Sequence, residues 1–382
     1  MSAPGASWLP LSPGERAVAI EVLVHGPLSR SDLARRLGLS AGSLTRLTKP
    51  LIESGLLVEE GTASAAARQG RPSQPLSTAA DSRFFAGFKI TADTVYGVLT
   101  TLRSDIVARR SGPLTTHEPG EVAGLLALMT EEFRHGFPRL AGIGVGVGGQ
   151  VRERSTVVES AFLGWDEVPF AELVEERTGL PVVLENDVVS LVESESWFGA
   201  GRGLDRFAVL TIGAGIGYGL VLGGERVRTA EEGLGIGKRW IIDPNGPLAP
   251  DGERGSAVAL LTISSICYQV QAATGRAKGY DEILALAAER HPVASRVIDE
   301  AARALGTLVA QIANFALPQK ILLAGEGVGL VDVAQPAVLE AIRANRHPLA
   351  DPVVMETKRS DFHDWARGAA VLAIQSLMLG DG

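Results

Sequence analysis

Along the first 60 positions, apolar residues recur at helical spacing in three short runs, each opened by a serine. Ser12-Pro13-Gly14-Glu15 has the form of a capping box with proline at the first helical position, which predicts a helix through Val24 that ends before Gly26-Pro27. Ser29-Arg30-Ser31-Asp32 opens a second helix ending near Gly38, and Ser40 caps a third. In the third, Leu44, Leu47, Leu51 and Ile52 fall at i, i+3, i+7 and i+8 and form one buried face. Ser43, Thr45, Arg46, Thr48 and Lys49 are left for the outer faces. Pro50 removes the hydrogen bond to the Arg46 carbonyl, which predicts a kink or the end of regular helix.

From Arg83 the period changes. Phe84–Ile90, 95–102 and 106–110 read as three consecutive strands, followed by a helix over 122–133 and an apolar strand at Leu140–Val147. A strand at 181–184 leads into a helix over 188–198, and 207–212 with 218–222 form a glycine-linked strand pair. Helices dominate 256–316, with a further strand at 321–324. This order predicts two α/β lobes with a cleft between them.

A helix that exposes small hydroxyls together with Arg and Lys enters a major groove without steric conflict and donates to base edges and phosphates. Three short helices at this spacing read as a helix-turn-helix, with double-stranded DNA as the partner. The small-residue loop that follows, 59–72, contains Arg68 and Arg71. It fits either a wing, in which those arginines reach a phosphate or a minor groove, or a plain interdomain linker.

Composition sharpens this picture. The 382 residues suffice for two or three compact units, and 46% hydrophobic content supplies a sizeable core. The net charge of −8 argues against a nucleic-acid coat, yet residues 1–80 carry eight basic and six acidic side chains against 28 and 38 in the remainder. The excess of positive charge lies at the reading end. Cys267 is the only cysteine, which excludes a disulfide framework or a cysteine-rich zinc site within one chain. No stretch approaches a spanning helix, and the N-terminus lacks a signal-peptide pattern. The expectation is a cytoplasmic protein without a membrane segment.

A further set of motifs carries a family resemblance. These are Gly164-Trp165 followed by Leu173 and Thr178-Gly179-Leu180-Pro181-Val182-Val183; Glu185-Asn186-Asp187-Val188; Glu195-Ser196-Trp197-Phe198-Gly199; the run Gly213-Ala214-Gly215-Ile216-Gly217-Tyr218-Gly219; and Gly325-Glu326-Gly327. They span nearly the whole chain after residue 83, and the chain resembles the ROK family (repressors, open reading frames, kinases). The resemblance implies an N-terminal winged helix-turn-helix over 1–80, followed over 81–382 by a two-lobed actin-like, ribonuclease H-like sugar-kinase fold. It also implies that Asp187 matches the general base of the family's kinases and Asn186 a sugar-hydroxyl contact. The glycine run matches the family's second phosphate loop. On the residues alone, Asn186-Asp187 also suits a helix N-cap, and glycine between two strands is often only a hairpin.

The kinase pattern is broken in several places. Family kinases open the domain with Asp-x-Gly-x-Thr, where this chain has Lys89-Ile90-Thr91-Ala92-Asp93; the usual Thr of the second loop is Ala214. Many members bind a structural zinc through one His and three Cys, here Lys238, Ala249, Asp251 and Ser256, and two sugar-site glutamates are Gly235 and Val258. No zinc or other cofactor is therefore expected. The predicted function is a DNA-binding regulator, a repressor by family layout, and not an enzyme. It would act as a homodimer or homotetramer on a pseudo-palindromic operator. Asn186, Asp187, Lys238 and Gly149 are the candidate residues for a sugar-like, acidic or phosphorylated effector, a solvated surface role being the alternative for Lys238. The alternatives are a sugar kinase with an accessory head and a regulator that has lost its effector.

Overall fold

The computed structural model describes residues 11–60, 74–229, 231–235, 239–249, 252–359 and 361–380. The chain forms two compact units, one comprising residues 1–198 with 362–382 and the other residues 199–361.

The first unit begins with three helices, α1 Pro13–His25, α2 Arg30–Leu37 and α3 Ala41–Glu53. Each starts where a serine hydroxyl accepts a backbone N–H of the first turn: Ser12 from Glu15, Ser29 from Asp32 and Ser40 from Ser43. These bonds satisfy donors that a helix start leaves open. The helix α3 continues for three residues beyond Pro50, so proline costs it one hydrogen bond but does not end it. Two strands follow, β1 Leu57–Glu59 and β2 Leu76–Thr78, paired antiparallel with Leu57 opposite Thr78. They form the base of a wing, and β2 lies where the sequence pattern shows only a junction.

The same unit contains a five-stranded sheet. Its members are β3 Phe84–Ile90, β4 Thr94–Thr101, β5 Ile106–Pro113, β6 Leu140–Val147 and β10 Val182–Asn186, in the order β10-β6-β3-β4-β5. The first three form an antiparallel meander, and β6 and β10 run parallel to β3. Helix α4 Pro119–Gly136 links β5 to β6. A small sheet of β7 Gln150–Arg152, β8 Thr156–Ser160 and β9 Trp165–Val168 precedes α5 Phe170–Thr178, and α6 Asp187–Phe198 leaves β10 directly.

The second unit has its own sheet, built from β11 Arg206–Ile212, β12 Ile216–Leu222, β13 Glu225–Arg226, β14 Lys320–Ala324 and β15 Met355–Thr357 in the order β13-β12-β11-β14-β15. Its helices are α7 Ala257–Leu261, α8 Ile263–Thr274, α9 Tyr280–Ala288, α10 Pro292–Ala316 and α11 Gly329–Ala344. No described helix is long and apolar enough to cross a membrane. The chain then returns to the first unit as α12 Phe362–Ala373, extended by a π turn over Ile374–Met378.

Helix α12 lies on the first sheet with almost no side chain between. A Cβ on Gly144 would stand 1.8 Å from the Ala369 carbonyl oxygen, and one on Gly87 2.0 Å from that of Ala366. The far end of the helix contributes Ala370, Ala373, Ile374, Met378 and Leu379 to a core that also contains Val18, Val22, Leu33, Leu44, Leu51, Leu57 and Leu76. The three N-terminal helices therefore share one hydrophobic core with the body of the first unit, through Phe85 and Leu102 as well. The opposite side of the sheet packs Phe88, Phe133, Trp165 and Phe170 under α4 and α5.

Candidate functional sites in the first unit

The exposed face of α3 is formed by Ala41, Gly42, Thr45, Arg46, Lys49 and Glu53. Leu44, Thr48 and Leu51 are buried beneath it. Thr48, which the polar pattern assigns to the outer face, is 1% exposed and donates its hydroxyl to the Thr45 carbonyl at 3.2 Å. The helical period explains the correction: position 48 follows Leu44 by four and precedes Leu51 by three, so it falls on the inner stripe whatever its polarity. Ser43 is half-buried beside the Ser40 cap, 3.0 Å between hydroxyls. Thr45 is exposed and returns its hydroxyl to the Ala41 carbonyl at 2.9 Å.

Electrostatics separates the cations of this region. Arg30 pairs with Glu59, Arg35 with Asp32 and Arg36 with Glu21, each at 2.5 Å, and Lys49 lies 3.8 Å from Glu53. Arg46 is exposed and has no ion pair among the described residues. The Ser29 hydroxyl, and then the Arg35 guanidinium, hold the Asp32 carboxyl below the usual carboxylate range. Ala41 and Gly42 are surface residues that the sequence reading passed over; their small size directly after the Ser40 cap is the signal that the start of α3 can approach a groove closely. Arg68 and Arg71 lie outside the described residues.

The second candidate site lies where β10 passes into α6. The Asn186 amide oxygen accepts the N–H groups of Val188 and Val189 at 2.9 and 3.3 Å, and its nitrogen donates to the Gly149 carbonyl at 2.8 Å. Gly149, with φ of +151°, leaves room for this arrangement, since a Cβ there would stand 2.2 Å from the Glu159 carbonyl oxygen. One carboxylate oxygen of Asp187 accepts the Val188 N–H at 2.8 Å, and the other pairs with the Lys89 ammonium.

Lys89 is 6% exposed and stands 5.7 Å from the centre of the Trp365 ring on α12. A buried ammonium needs such partners, because desolvation disfavours it unless an opposite charge and a polarisable face surround it. The structure thus brings Asn186, Asp187 and Gly149 together, and adds Lys89, which sequence reasoning noted only as a broken motif. The change of charge sign at that position was the available signal. Lys238 lies outside the described residues, as does Asp251. Of the other positions aligned with zinc ligands, Ala249 is buried, and the Ser256 hydroxyl caps α7.

The profile described as "ROK family" matches residues 86–376, and one described as "Winged helix-turn-helix DNA-binding" matches residues 20–58. The DNA-binding transcriptional repressor Mlc of Escherichia coli (strain K12) is 24% identical over 338 residues, covering 85% of this chain and 83% of that protein. The xylose repressor of Bacillus spizizenii is 24% identical over 328 residues, covering 85% and 84%. A crystal structure of a ROK family transcriptional regulator, a homolog of the E. coli MLC protein, superposes with a TM-score of 0.80 at 24% identity over 96% of this chain and 98% of that one.

Proposed function

The chain belongs to the ROK family, with a winged helix-turn-helix ahead of the family's actin-like, sugar-kinase-type α/β fold, and we propose that it is a transcriptional repressor released from its operator by a small-molecule effector. The observation that carries the DNA-binding part is the exposed face of α3, where Thr45, Arg46 and Lys49 follow a small-residue first turn beside a two-stranded wing base. Side chains of this kind read base edges and hold phosphates. In this reading residues 1–80 engage DNA and 81–382 respond to the effector. Two copies of the chain engage the two halves of a pseudo-palindrome, and the protein works in the cytoplasm.

The repressor names among the relatives, one of them a xylose repressor, support a sugar or sugar derivative as effector. Asn186, Asp187 and Gly149 are the residues assigned to it. The chain does not phosphorylate a sugar. The carboxylate that would serve as base is held by Lys89, and an ammonium stands where the family's kinases place a carboxylate.

The test is a gel-shift titration of the full-length protein on the DNA upstream of its own gene, repeated at several salt concentrations and with xylose, glucose and their phosphates. A sequence-specific, salt-sensitive shift that one of these sugars reverses is the expected result. Absence of a specific shift sinks the repressor reading, and a shift that no sugar reverses sinks the effector.

A further inference from the structure

In the second unit β11 and β12 are joined by Gly213-Ala214-Gly215, a turn closed by a hydrogen bond from the Gly213 N–H to the Gly215 carbonyl at 3.0 Å. Beside it runs Gly325-Glu326-Gly327, between β14 and α11. The two segments meet backbone to backbone. A Cβ on Gly325 would stand 2.4 Å from the Ile212 carbonyl oxygen, and one on Gly327 2.9 Å from the same atom. Both segments are also fixed from outside: the Ile263 N–H donates to the Gly213 carbonyl at 3.0 Å, and the Tyr280 hydroxyl to the Gly327 carbonyl at 2.7 Å.

The Glu326 side chain turns back over this contact. Its Oε1 accepts the Ala214 N–H at 3.1 Å, and its carboxyl carbon fills the space of the missing side chain on Gly213, where a Cβ would come within 2.4 Å. Glu326 is exposed and has no cationic partner among the described residues. An exposed carboxylate ordinarily stays in water or meets a cation. This one is seated on a glycine turn, against a backbone amide of the kind that receives phosphate oxygens.

We propose that Glu326 is a resident anion: its carboxylate occupies the anion seat of the 213–215 turn and closes it to phosphate-bearing ligands, nucleotides included. The Ala214 donor is already used, and the fixed negative charge repels an incoming phosphate. The same contact staples the 325–327 segment to the turn. An effector of this protein therefore does not enter through a phosphate at this turn.

The test is calorimetric titration of full-length wild type, Glu326→Gly and Glu326→Gln with inorganic phosphate and, separately, with ATP. Wild type gives heats of dilution only. Glu326→Gly gains salt-sensitive binding of about tenfold or more, and Glu326→Gln lies between, since its amide oxygen still fills the seat but carries no charge. Phosphate or ATP binding by wild type equal to that of Glu326→Gly overturns the proposal, as does a folded variant pair with no gain. Thermal unfolding of the same preparations controls for folding, with Glu326→Gln as the milder change. Operator binding is scored independently on the same samples, so failure of this proposal is distinguishable from failure of the DNA-binding reading.

Discussion

The Lys89 ammonium and the Asp187 carboxylate, 98 positions apart in sequence, form an ion pair inside the first unit beneath the ring of Trp365. Both side chains are largely withdrawn from water, at 7% and 16% exposure, so each depends on the other for charge compensation.

That dependence gives the first prediction. Asp187→Asn leaves a buried, uncompensated ammonium and lowers stability by about 3–5 kcal/mol, whereas Lys89→Met with Asp187→Asn recovers most of the loss. Urea unfolding of the two single variants and the double variant measures the coupling. Single-variant losses that simply add would remove the pair from any structural role.

Arg46 and Lys49 share a face but differ in their freedom. Arg46→Ala weakens operator binding by about 1–3 kcal/mol if Arg46 reads a base, with relaxed specificity at one position. Lys49→Ala weakens binding to all sequences alike and reduces the salt slope by about one. Fluorescence anisotropy on operator and scrambled DNA separates the two, and unchanged melting temperatures exclude misfolding.

Thr48 behaves as a core residue. Thr48→Val retains operator binding and changes stability by no more than about 1 kcal/mol, because one hydroxyl bond is exchanged for a methyl of the same shape. Thr48→Arg disorders the reading helices, since a guanidinium cannot be accommodated between Leu44 and Leu51. Loss of far-ultraviolet helix signal together with DNA binding in Thr48→Arg alone is the expected outcome.

Gly144 has no room for a methyl group. Gly144→Ala places a Cβ 1.8 Å from the Ala369 carbonyl oxygen and forces α12 off the sheet, a change of the kind that costs more than about 4 kcal/mol. Because α12 also carries residues of the core under the reading helices, operator binding falls with stability. A variant that melts like wild type would contradict this packing.

Tyr280 supplies a pH dependence. Burial raises its phenol above the ordinary value of 10.0, and its hydroxyl donates to Gly327. Since the folded form holds the proton more tightly than the unfolded chain, this contribution is complete below pH 10 and is lost as pH rises through the elevated folded value. Alkaline unfolding monitored at fixed temperature is therefore shallower above pH 10 in Tyr280→Phe than in wild type, which starts more stable by about 1 kcal/mol.

The start of the chain was legible because its signals are local. Serine caps, apolar spacing at 3.6 residues and the glycine at the end of α2 concern neighbours within one turn, and the three helices stand at Pro13–His25, Arg30–Leu37 and Ala41–Glu53 as those signals imply. The strands of the first sheet were legible for the same reason: β3 and β6 are continuous apolar runs. Elements with weak local patterns were not. The wing strand β2 has three residues, and α12 looks like any apolar helix near a chain end.

What the sequence by itself determined is the identity of the modules: a DNA-reading head, an α/β body, and kinase motifs whose charges and ligands are altered. Tertiary structure alone decided which distant residues meet. It paired Lys89 with Asp187, laid Glu326 over the turn at Gly213, buried Thr48, and brought α12 back across the chain into the core that the reading helices share with the sheet. The physical reason is separation. A cap or an apolar stripe is settled by residues three or four positions apart, whereas burial of a charge and the choice of its partner depend on which distant segments the packed core brings together.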